Sequence, residues 1–202
     1  MKLDREEAGN LGGGAQGLLE PELGFPCRDL LLDFLARKQD AMCRLWLERI
    51  LQGYAKSTSR FLAQEQDRFR NPVGYTLKEN LPELYTALLL GRASDECKRA
   101  LDAIIRVRAV QDFSASQAVS FIFHLKDIAR QELAGEKRID RDDSVLAAFE
   151  RRIDALALLA FDLFVRCRER ISEIKTNDVR RRAYVEQRLA ANPARDARNR
   201  SE

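Results

Sequence analysis

A chain of 202 residues with 45% hydrophobic and 33% charged side chains has the apolar material for one cored domain, which excludes general disorder and two full domains alike. Its 35 basic and 32 acidic residues leave a formal charge of +3, too small a surplus to make nucleic acid the expected partner. The most apolar window, 155–165, contains Asp162 and falls far short of the ~20 residues that span a bilayer, so no membrane insertion is expected.

Residues 1–27 carry Gly9, Gly12, Gly13, Gly14, Gly17, Pro21, Gly24 and Pro26 and read as a disordered leader. They lack the apolar stretch of a secretory signal, so a cytoplasmic location is expected. The glycine run has no strand before it and no Gly-Lys-Ser/Thr after it, which removes the context of a phosphate loop. From Asp29 the apolar positions Leu31, Leu32, Leu35, Met42, Cys43, Trp46, Leu47 and Ile50 repeat at helical spacing, predicting one helix that ends at Gly53. A short helix over 59–69 follows, and Asn71-Pro72-Val73-Gly74 reads as a turn. Thr76 is a possible cap for a helix to Leu90, although Pro82 predicts a start at Asn80 or a kink; Gly91 ends it.

Ser94 opens a helix through Cys97, Leu101, Ile104, Ile105, Val107 and Val110, broken at Asp112-Phe113-Ser114. Ser114-Ala115-Ser116-Gln117 has the form of a capping box and starts a helix to about Leu133. A charged loop with Gly135 and residues 140–143 separates it from the longest periodic stretch. That stretch starts at Ser144 and places Phe149, Ile153, Leu156, Ala160, Leu163, Cys167, Ile171 and Ile174 mostly four and three apart. It either continues through Thr176-Asn177-Asp178 or breaks there into a terminal helix over 176–191. The fold class is therefore all-α, a bundle of about six to seven helices, with one domain over 28–191 (core 30–135, long helix 144–175) and a frayed tail over 192–202.

No motif supports catalysis. Cysteines 27, 43, 97 and 167 form no Cys-x-x-Cys, and His124 is the single histidine, so neither a metal site nor a cofactor is expected. The cysteines at 43, 97 and 167 lie on apolar faces as small hydrophobes, with a redox-responsive thiol as the lesser reading. His124 falls on a polar stripe with Gln117, Ser120, Asp127 and Gln131, as a partly exposed residue near Asp127; a pH- or ligand-responsive position and a haem ligand are the alternatives. Arg106 and Arg108 interrupt an apolar run and read as buried, in a structural ion pair or as anchors for an acidic partner or ligand. The basic end around Arg180-Arg181-Arg182 complements a helix C-terminus. Leu159, Phe161 and Phe164 lie in an apolar segment wider than one contact face requires, making them candidates for contact with a protein partner or a second copy.

Two stretches resemble a known family: Trp46-Leu47-Glu48-Arg49-Ile50 with Asp67-Arg68-Phe69-Arg70-Asn71-Pro72-Val73-Gly74, and the run from Ile105 to Val119. Over roughly residues 30–135 the chain is similar to the RsbRD-type N-terminal sensory domain of co-antagonists of the RsbT kinase. The resemblance implies a helical, non-enzymatic input domain, often a dimer, with a haem-free globin-like arrangement as the fold alternative. It also implies a stand-alone form without the antagonist output domain, acting as an accessory regulator with a partner in a signalling or respiratory complex. A small-ligand or haem-binding sensor is the alternative function.

Overall fold

The structure is a computed structural model that describes residues 30–190 except 66, 93, 112 and 136–142. The expectations for the leader, for most of the charged loop and for the tail lie outside the described residues. Every element of the described chain is helical, with eight α-helices and one 3-10 turn joined by short connections.

The first apolar stripe forms α1 (Leu30–Arg37) and α2 (Gln39–Leu51) instead of one rod. Between them the Lys38 N–H is shared by the carbonyls of Phe34 and Leu35 at 3.1 and 3.2 Å, a local tightening toward 3-10 geometry. Next, α3 (Lys56–Gln64) ends short of the expected Phe69, and α4 (Pro72–Leu90) begins before the expected Thr76 or Asn80.

Asn71 explains both differences. Its Oδ1 accepts from the Gly74 N–H at 2.8 Å, which makes it the N-cap of α4 with Pro72 at the first helical position. Its Nδ2 donates to the carbonyls of Leu62 and Glu65 at 2.9 and 2.8 Å, closing the end of α3. Residues 71–74 are thus a helix start, not a free turn. Gly74 is required because a Cβ there would lie 2.3 Å from Asn71 Nδ2 and 2.4 Å from the Leu62 carbonyl oxygen. Pro82 sits inside α4, and the Pro82 carbonyl takes the Thr86 hydroxyl at 2.9 Å.

Ser94 caps α5 (Asp95–Ala109) by accepting from the Cys97 N–H at 3.1 Å. The capping box forms as expected at α6 (Ala115–Val119), with Ser114 and Gln117 exchanging bonds of 3.3 and 3.0 Å. The helix does not run to Leu133 unbroken. It tightens into a 3-10 turn at Ser120–Ile122 and resumes as α7 (His124–Ala134).

Last comes α8 (Asp143–Ala190), 48 residues and about 72 Å at 1.5 Å per residue. It passes through 176–178 without a break, because the Thr176 hydroxyl donates to the Ser172 carbonyl at 2.9 Å inside the helix. Among the described residues 176–190 belong to α8 and form no separate terminal helix. Its inner half buries Phe149, Ile153, Leu156, Ala160 and Phe164 in the core. That core centres on Trp46 stacked with Phe121 (6.1 Å) and Tyr85 edge-on to Phe149 (6.5 Å). Gly91, at φ 69°, ends α4 in the left-handed region, and a Cβ there would meet Arg152 Cζ at 2.8 Å.

Because Asn71 satisfies three backbone groups, Asn71→Ala is expected to cost about 2–4 kcal/mol, the loss of a cap plus stranded carbonyls. Urea denaturation measures it; a loss below about 0.5 kcal/mol would show that water replaces the amide.

Candidate functional site

Residues 106 and 108 lie about 200° apart around α5, so their side chains leave the helix on opposite sides. The expectation that both are buried holds only for Arg108, which is 5% exposed. Its Nε donates to the Ala118 carbonyl at 2.8 Å, Nη2 to the Gln117 carbonyl at 3.1 Å and Nη1 to the Tyr54 hydroxyl at 3.3 Å. Its guanidinium lies 4.6 and 5.1 Å from the ring centroids of Phe113 and Phe121. Among the described residues no carboxylate pairs with it, so carbonyl dipoles and aromatic faces stand where an ion pair was expected. Burial lowers its pKa, with Tyr54 opposing. Arg106 is exposed and pairs with Asp102 at 2.6 Å, one turn earlier.

Arg108 and Trp46 also explain the break between α6 and α7. The carbonyls of Gln117 and Ala118 go to Arg108, and that of Phe121 to Trp46 Nε1 at 2.7 Å. His124 opens α7 just after this break. It is half-buried, and its Nδ1 is enclosed without a hydrogen-bond partner among the described residues. Burial, then Arg49 and Arg108, lower its pKa, while Asp127 raises it. The expected neighbour Asp127 is present, in a more cationic setting than the polar stripe suggested.

Leu159, Phe161 and Phe164 do not form one surface. Phe164 belongs to the core, Leu159 is half-buried against it, and Phe161 is 46% exposed on the outer face with Leu158. Phe164 is thus unavailable to a partner in this fold.

A groove of about 680 Å³ that sequence reasoning missed opens between α5 and α8. Asp102, Arg106 and Val110 line it from α5; Leu163, Arg166, Cys167, Arg170 and Ile171 line it from α8. Of these only Arg106 was named in advance as a partner or ligand contact. The available signal was the stripe itself, since 102, 106 and 110 are four and eight apart and the residues from α8 three, four and eight apart, mixing charged with apolar side chains. The thiols are held protonated: burial and Asp40 push Cys43 up to about 11, burial and Glu83 push Cys97 to about 11, and burial and Asp102 raise Cys167. Cys97 is buried as expected, Cys43 and Cys167 are half-buried, and Cys27 lies outside the described residues. No cluster of His, Cys, Asp or Glu among the described residues has the makings of a metal site. No helix among them is long and apolar enough to cross a membrane.

These features define an all-α bundle with a long terminal helix that carries one wall of a cationic, apolar groove. Residues 40–178 match the family model described as the RsbT co-antagonist protein rsbRD N-terminal domain, and the chain belongs to that family of stress-signalling regulatory domains. The match takes in the rooted half of α8, well past the 30–135 over which the resemblance was read. Neither curated proteins nor solved structures yield a match.

Arg108→Met would strand the Gln117 and Ala118 carbonyls and is expected to cost about 3 kcal/mol, with little recovery in Arg108→Lys because one ammonium cannot span both. An unchanged denaturation midpoint for Arg108→Met would refute the clamp. For His124 the native pKa is lowered, so the neutral ring contributes fully above the ordinary value of ~6.5 and its contribution is lost as pH falls toward the native value. Stability measured between about pH 7.5 and 5.5 should fall more for the wild type than for His124→Gln. Parallel curves would contradict this.

Proposed function

We propose that the chain is a non-enzymatic regulatory module that acts through protein partners, and that it pairs with a second copy along the outer length of α8. The observation that carries this reading is the state of residues 172–188, every one of which is exposed. Ile174, Val179, Tyr184 and Val185 stand 47–67% open in that stretch. A helix with no packing face gains little from propensity alone, and an extension of this length that leaves large apolar side chains in water gains stability once another helix covers them.

One support for the non-enzymatic part is the state of the thiols. Burial pushes Cys43, Cys97 and Cys167 toward their unreactive form. Membership in a family of stress-signalling regulatory domains supports a role exercised by contact. The sense of pairing follows from charge. A parallel pair would set Arg180, Arg181 and Arg182 against their own copies, so the antiparallel arrangement is favoured.

Light scattering coupled to size exclusion tests the pairing. The intact chain is expected at twice its 23.1 kDa mass. A chain ending at Ser172, which loses only exposed side chains among the described residues, is expected at the monomer mass with its thermal unfolding retained. A monomeric intact chain, or a dimer that survives the truncation, would remove the outer half of α8 from the reading.

A further inference from the structure

We propose that the groove between the end of α5 and the middle of α8 binds a small anionic amphiphile, a carboxylate carried on an unbranched apolar chain. The inference goes beyond the pairing of α8 and does not depend on it, because the groove ends at Ile171, before the exposed length begins.

The floor is apolar and incompletely covered. Val110 is 72% exposed at the end of α5, and Leu163, Cys167 and Ile171 are half-buried along α8. From Leu163 to Ile171 the helix rises about 12 Å, which gives the strip the length of a medium alkyl chain. A volume of about 680 Å³ lies within the ~300–1,000 Å³ typical of small-molecule sites between helices. A partner helix anchored at i, i+4 and i+7 with flanking turns would overrun a groove only two turns long.

The rim supplies the charge. Arg106, Arg166 and Arg170 face one carboxylate, Asp102, which is already bonded to Arg106 at 2.6 Å. Arg170 reaches Glu173, outside the groove, at 3.3 Å. Arg166 makes no ion pair among the described residues, and its guanidinium fork matches a carboxylate in bidentate geometry. Cys167 adds no negative charge, since burial keeps its thiol protonated. An apolar strip with an uncompensated guanidinium at its edge selects a molecule with both a tail and an anionic head.

Calorimetric titration of the full chain with decanoate, below its micelle-forming concentration and beside uncharged decanol, tests this. Decanoate should bind saturably, and decanol about tenfold more weakly, for want of the charge-assisted contact. Arg166→Gln should weaken decanoate by about the same factor and leave decanol unchanged. Val110→Asp should abolish binding of both, while Arg181→Gln, outside the groove, should change nothing. Val110 and Arg166 are both exposed, so these variants should keep the wild-type thermal unfolding. The proposal is overturned by a wild type that does not saturate, by decanol binding as tightly as decanoate, or by an unaffected Val110→Asp. It is equally overturned if the wild type fails to bind decanoate while Val110→Asp alters the mass in light scattering, which would make the groove a protein contact. The pairing of α8 stands or falls separately, on the mass of the intact chain.

Discussion

The architecture depends on arginine side chains that take up helix C-terminal carbonyls inside the bundle. Every helix leaves its last carbonyls without intrahelical partners, and an end tucked against neighbours cannot hand them to water. Here Arg108 takes the carbonyls of Gln117 and Ala118, Arg152 those of Leu88 and Leu89 at 3.0 and 2.9 Å, and Arg168 that of Ala109 at 3.1 Å. Each contact places a positive charge at the negative end of a helix dipole. Two of the three donors belong to α8, so the long helix ties down the ends of α4 and α5 as well as filling the core. Arg152 also lies where any side chain at position 91 would have to go, which joins the glycine stop of α4 to the path of α8.

What the sequence made legible follows the range of the interaction. The stop at Gly91, the cap at Ser94 and the box at Ser114 and Gln117 all operate within a few residues, and local rules were enough to place them. The all-α class and the long last helix were legible for the same reason, as sustained periodicity. The misreadings share the opposite trait. Asn71 looked like part of a turn because its partners are Leu62 in the preceding helix and Glu65 just past its end. The 3-10 turn after α6 was invisible because Arg108 and Trp46, from α5 and α2, supply the donors that make it tenable. Pro82 suggested a start at Asn80 or a kink, whereas α4 starts at Pro72 and runs through the proline to Leu90.

The candidate site was legible only in fragments. Arg106 and Arg108 attracted notice as a pair, yet two residues of spacing on a helix sends one inward and one to solvent, and only Arg106 reaches the groove. Phe164 looked like part of a contact surface because a heptad-like stripe has the same form whether it packs within its own domain or against another chain. The groove itself required two helices to be brought side by side, which no reading along one helix could supply.

The length of α8 has a mechanical consequence. Its inner half is gripped by the core through Phe149, Ile153, Leu156 and Phe164, whereas the span from Ser172 to Ala190 adds about 27 Å of unsupported helix. A rigid rod held at one end turns rotation into displacement, and a tilt of about 5° at the root moves the far end by roughly 2 Å, comparable to the helix shifts that switch interfaces. The wall of the groove and the Arg168 contact both sit close to the pivot of this lever. A small rotation there would be magnified along the exposed stretch 172–188.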